Sequence, residues 1–191
     1  DPVMSRGLGD VYKRQYFYDE VGDHLFQRIM RCDDYYLTRC EMEVFREKAN
    51  ELVSELNIDG AEFDLVELGA GDGIKTRHLL RYLSEANADF RYLPVDISGH
   101  ILDVLCAGIQ QNISGIDIHP FEGDYFSALG EIDRFSQRRK VVLFLGSNIG
   151  NMPIEDCHTF CLRLGEHMHP GDLLITGFDL KKDPRTILKA Y

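Results

Sequence analysis

One stretch constrains this chain more than any other: FDLVELGAGDG, at Phe63–Gly73, where a buried-strand pattern runs straight into a cluster of glycines. Helix-forming sequence follows at once. Glycines at such a turn let the backbone approach a nucleotide-like ligand where a Cβ would collide. A second apolar strand, Tyr92–Val95, closes on Asp96 roughly 25 residues further on, about where a Rossmann-type sheet places the carboxylate that grips ribose hydroxyls. The pairing predicts a site for an adenosine-containing ligand.

The flanking sequence alternates in the same sense. Strands are expected at Phe63–Leu68, Arg91–Val95, Ile116–Phe121, Val141–Leu145 and Leu173–Phe178. Helices are expected at Ile74–Leu83, Gly99–Gln111, Phe126–Ile132 and Ile154–His167. VVLFL is apolar on both faces, as a parallel strand covered by helices requires. The fold class is therefore α/β, a doubly wound Rossmann-like sheet preceded by N-terminal helices. Residues 16–60 read as that helical segment, with Leu25, Phe26, Ile29 and Met30 as one apolar stripe and Met42–Leu56 as a longer helix. CDDYYLTRCE between them reads as a loop, and Thr38 with Glu41 as a capping box. Residues 61–191 form the ligand-binding α/β domain. Residues 1–15 lack apolar periodicity and read as a non-native leader. The last helical pattern, Thr186–Tyr191, is still running at the end, so we expect a C-terminally truncated domain.

Composition narrows the partners. A formal charge of −11 opposes nucleic acid or an anionic membrane as the main partner, since phosphate binding calls for positive surface. No apolar run approaches the ~20 residues that span a bilayer. We expect a cytoplasmic monomer acting on a small molecule. The five cysteines include no CxxC pair, and Cys157 and Cys161 beside His158 read as small apolar residues on a helix, so no metal is expected. Arg138–Lys140 reads as a solvated turn.

Glu67 in ELGAG is typical of the first motif of class I methyltransferases, which bind S-adenosylmethionine, and the third glycine comes one residue too early for the dinucleotide fingerprint. Beyond that motif, YFYDE (Tyr16–Glu20), YYLTR (Tyr35–Arg39), KTR (Lys75–Arg77) and LGSNIGN (Leu145–Asn151) together resemble the histidine-specific methyltransferases. The resemblance covers essentially Tyr16–Tyr191. It implies trimethylation of the α-amino group of L-histidine to hercynine, in the ergothioneine pathway, with S-adenosyl-L-methionine as cofactor. It further implies a cofactor set of Tyr35, Gly69, Gly71, Lys75, Asp96, Asp124, Tyr125 and Gly146, with Asp96 on the ribose, Asp124 on the adenine amino group and Tyr125 beside the ring. Tyr18, Asn151 and Tyr191 are implied to hold histidine, Tyr18 and Asn151 being the candidate catalytic pair. Leu37 stands where the family usually has proline, and Tyr125 where it usually has phenylalanine.

Plainer roles exist for the same residues. Asp96 and Asp124 could each cap the helix that follows, Asn151 could be a turn residue before Pro153, Tyr18 could pack a helix, and Lys75 could be a solvated helix residue. Alternatives at the level of function are a methyltransferase for another small amino acid or amine, a nicotinamide-dependent oxidoreductase on the same sheet, and a module that binds the cofactor without catalysis.

Overall fold

The computed structural model describes residues 20–32, 35–56, 60–181 and 183–187. Its centre is a parallel sheet whose middle strand, β1 (Phe63–Leu68), is buried along its whole length. β2 (Phe90–Asp96) pairs on one side of β1, and β5 (Arg139–Phe144) on the other. Two short strands, β3 (Asp117–Ile118) and β4 (Phe121–Glu122), extend the sheet beyond β2, and β6 (Leu173–Thr176) extends it beyond β5. The order β3-β2-β1-β5-β6 is that of an open doubly wound sheet.

Helices cover both faces because the strand residues alternate. Phe63, Leu65, Tyr92, Val141 and Leu143 point to one side, against α2 (Tyr36–Glu47), α3 (Ala49–Glu55), α4 (Arg77–Glu85) and α5 (Gly99–Asn112). Val66, Leu68, Leu93, Val95, Val142 and Phe144 point to the other, against α6 (Tyr125–Phe135) and α7 (Ile154–Glu166). This two-residue period is what a strand buried on both faces shows. Before them lies α1 (Glu20–Met30), and α8 (Pro184–Ile187) follows β6. Among the described residues no helix is long and apolar enough to cross a membrane.

The α/β expectation holds, and four details differ. The third strand is split. The carbonyls of Tyr92 and Asp96 accept from His119 and Gly123, so by the same period Pro94 faces that neighbour with no N–H to offer. Pro120 lies in the gap itself, and proline removes a ladder donor. Secondly, the expected loop is mostly helix: α2 begins at Tyr36, leaving Thr38 buried inside it rather than capping it. Thirdly, Arg139 and Lys140 belong to β5, not to a solvated turn. Lys140 is 4% exposed, with Nζ 2.5 Å from Asp133. Carboxylates at the strand's entrance make that burial tolerable. Finally, the stripe on α1 is not all core, since Leu25 is 52% and Ile29 49% exposed.

The helix that follows β2 has a conventional start. Ser98 is the N-cap of α5 and its hydroxyl accepts from the Ile101 N–H at 3.3 Å. Ser98→Ala should cost about 1 kcal/mol of stability, read as a lower urea midpoint at unchanged slope; an unchanged midpoint would remove the cap from the account.

Candidate functional site

At the carboxyl edge of the sheet, the chain leaves β1 towards β2 and leaves β5 towards β6, in opposite directions. Open α/β sheets bind ligands in the crevice this reversal creates. The β1 turn is tied down by backbone: Gly69 and Ala70 both donate to the Val95 carbonyl, at 2.8 and 3.1 Å. Asp96 reaches across from the tip of β2. Its Oδ2 accepts from the Gly71 N–H at 3.0 Å and its Oδ1 from the Ser98 N–H at 3.1 Å. One carboxylate thus joins the glycine turn to the start of α5.

Beneath the turn lies Glu67, 1% exposed on β1. Thr76 Oγ1 donates to its Oε1 at 2.6 Å, and Tyr92 Oη donates to its Oε2 at 2.5 Å. Burial pushes its carboxyl up to about 7, against the partial opposition of those two hydroxyls. The same burial, beside Glu67, pushes the Tyr92 phenol well above its usual range.

The second wall is the turn after β5. Gly146 (φ +75°) and Ser147 (φ +54°) are both left-handed, and Asn148–Asn151 follows as a 3₁₀ turn. Asn148 folds back, its Nδ2 donating to the Leu145 carbonyl at 3.0 Å. The two walls are close. A Cβ on Gly69 (φ +73°) would lie 3.1 Å from Tyr125 Oη and 3.8 Å from Asn148 Nδ2. One on Gly146 would lie 3.5 Å from Asn148 Nδ2 and 3.7 Å from Lys75 Nζ. The Tyr125 ring is held edge-on against Phe144 at 5.7 Å and Phe160 at 6.1 Å.

Of the residues expected from sequence, the fold brings together Gly69, Lys75, Tyr125 and Gly146, with Gly71 and Asp96 joined beside them. Asp124 is the N-cap of α6, with Oδ1 accepting from the Phe126 and Ser127 N–H groups at 3.1 and 3.2 Å. The Ser127 hydroxyl and these N–H groups hold its carboxyl below the usual range. Asp124 therefore has the capping geometry that was the plainer reading, whereas the cap of α5 is Ser98 and Asp96 accepts from that residue's own N–H, outside the helix. Tyr35 sits half-buried at the start of α2. Asn151 ends the 3₁₀ turn, exposed. Tyr18 and Tyr191 lie outside the described residues.

Two residues in the cleft escaped the sequence reading. Asn148 stands in the same LGSNIGN motif, one turn before Asn151, and its motif was the available signal. Glu41, read as half of a capping box, instead sends its carboxylate into the cleft. Oε1 accepts from the Gly146 N–H and Oε2 from Lys75 Nζ, both at 2.6 Å.

A doubly wound sheet with a glycine turn, a strand-end aspartate and a crevice between β1 and β5 has the fold of the class I methyltransferases. A solved structure agrees on the fold: magnesium protoporphyrin IX methyltransferase from Synechocystis PCC 6803 with bound SAH superimposes with a TM-score of 0.59 at 19% identity, covering 94% of this chain and 76% of that one. The histidine N-alpha-methyltransferase of Mycobacterium tuberculosis is 38% identical over 177 residues, 93% of this chain and 53% of that protein. Ergothioneine biosynthesis protein 1 of Neurospora crassa is 30% identical over 176 residues, 91% of this chain and 20% of that protein. The family described as histidine-specific methyltransferase, SAM-dependent, matches residues 5–191, and the chain belongs to it. It spans about half the length of the mycobacterial relative.

Proposed function

We propose that this protein is an S-adenosyl-L-methionine-dependent N-methyltransferase that methylates the α-amino group of L-histidine to give hercynine, acting as a monomer in the cytoplasm. The observation that carries this is the cradle between the β1 and β5 turns. Glycines stand where a Cβ would touch Tyr125 Oη or approach Lys75 Nζ, and a carboxylate holds the glycine turn from the side. In a member of this family such a cradle fits the methionine and ribose parts of the cofactor.

In that reading Gly69, Gly71, Lys75, Gly146 and Tyr35 surround the methionine end, Asp96 accepts from the ribose hydroxyls, and Asp124 and Tyr125 flank the adenine. Bound there, the cofactor supplies a methyl group on a cationic sulfur. Tyr18, Asn151 and Tyr191 hold histidine, with Asn151 able both to donate to and accept from the two unlike imidazole nitrogens. The chain need not supply a strong base if it binds the neutral amine in line with the methyl group. Orientation alone can contribute about 7–11 kcal/mol to such a step.

Calorimetric titration of the whole protein tests this directly. S-adenosylhomocysteine should bind, NAD should not, and histidine should bind in the presence of S-adenosylhomocysteine. Turnover with histidine should give mono-, di- and trimethylated products by mass spectrometry. Absence of heat and of product with histidine, in a protein that binds S-adenosylhomocysteine, would end the histidine assignment.

A further inference from the structure

Glu41 occupies an unusual position for a helix residue. It comes from α2, yet it meets groups at three strand exits. Lys75 follows β1, Gly146 follows β5, and a Cβ on Gly177, just past β6, would come within 2.5 Å of Glu41 Oε1. The Glu41 and Lys75 side chains are only 17% and 16% exposed, so the pair is mostly withdrawn from water at the mouth of the crevice.

A largely desolvated cleft tolerates this ion pair because the two charges cancel; either alone would carry an uncompensated desolvation cost. A ligand that inserts here must preserve that balance. A lone carboxylate satisfies Lys75 and strands Glu41, and a lone ammonium does the reverse. An amino-acid zwitterion brings one of each and can exchange the internal pair for two intermolecular ones. Its carboxylate then takes the Lys75 ammonium and the Gly146 N–H, which Glu41 now holds. Glu41, displaced from that N–H, keeps a cation as its partner.

We propose that Glu41 is a cofactor-binding residue that takes the α-ammonium of the methionine end of S-adenosylmethionine, while Lys75 and the Gly146 N–H take its carboxylate. The assignment rests on the cofactor reading above, and it gives the N-terminal helical segment a direct part in the site. It also makes the cleft selective: a neutral thioether nucleoside gains nothing from Glu41.

Three ligands titrated calorimetrically into the whole protein test it: S-adenosylhomocysteine, the analogue lacking only the α-amino group, and methylthioadenosine, which lacks the amino-acid end. The unaltered protein should bind S-adenosylhomocysteine about 10- to 100-fold more tightly than the deaminated analogue, the weight of one charge-assisted contact. Glu41→Gln should weaken S-adenosylhomocysteine by about the same factor and leave methylthioadenosine within about threefold. Equal affinity of the unaltered protein for S-adenosylhomocysteine and the deaminated analogue would overturn the proposal, and that arm needs no variant to fold. Tighter binding of S-adenosylhomocysteine by Glu41→Gln would also overturn it, making Glu41 a mere competitor for the carboxylate site. Failure of both S-adenosylhomocysteine and methylthioadenosine to bind the unaltered protein would instead remove the underlying cofactor reading, and the proposal with it.

Discussion

Asp96→Ala should lower the affinity for S-adenosylhomocysteine by about 100-fold or more, because it removes two kinds of contact at once. In the proposed cofactor site this strand-end carboxylate accepts from the two ribose hydroxyls. Hydrogen bonds to a charged acceptor are worth about 1.5–3 kcal/mol each, so two of them already reach that factor. The side chain also fixes the Gly71 N–H and the Ser98 N–H, so its loss frees the glycine turn from the start of α5. Asp96→Asn separates the two effects. The amide keeps one acceptor and nearly the same shape, so the turn is largely retained while the charge is lost. Calorimetry with S-adenosylhomocysteine, alongside urea unfolding of each variant, reads both. A loss of less than about threefold for Asp96→Ala would show that this carboxylate serves the fold alone.

The second large effect concerns pH and stability. In the folded protein Glu67 ionises at about 7, because it is buried, and in the unfolded chain near its ordinary 4.5. Between those values the folded state holds a proton that the unfolded state has released. Its contribution is therefore fully present below pH 4.5 and is lost as pH rises through about 7. A gap of that size corresponds to about 3 kcal/mol. Glu67→Gln keeps the size and an acceptor for one hydroxyl but cannot ionise. Urea unfolding from pH 5 to 8 should show the unaltered protein losing about 2.5 kcal/mol relative to the glutamine variant. Comparing the two proteins cancels every other titrating group. Parallel profiles would mean that Glu67 is ionised throughout, with the Thr76 and Tyr92 hydroxyls offsetting its burial. The link to function is direct, since Thr76 closes the segment that begins at Gly69, and Glu67 pins it to β1.

Much of the architecture was legible in FDLVEL, RYLPVD and VVLFL, whose alternation under helices on both sides implies a covered parallel sheet. The expected third strand, Ile116–Phe121, contains Pro120, and the break also depends on Pro94 opposite, which the order of residues along the chain does not place beside it. In the site, GAGDG and the distance to Asp96 located the cleft. They could not separate a capping aspartate from a ligand-binding one, since one carboxylate has lone pairs enough for both.

By itself, then, the sequence determined the sheet class and the glycine turn, because these depend on short-range sterics and local periodicity, while the resemblance of its motifs pointed to the family. The inner surface of the cleft was decided only by tertiary structure. Glu41 lies 34 residues from Lys75 and 105 from Gly146, and Asn148 reaches the glycine turn only because β5 pairs beside β1. Whether Glu41 caps a helix or faces an ammonium depends on how α2 docks against the strand exits. That docking is set by buried residues such as Phe45 and Leu79, spread along the chain, and not by any motif around Glu41 itself.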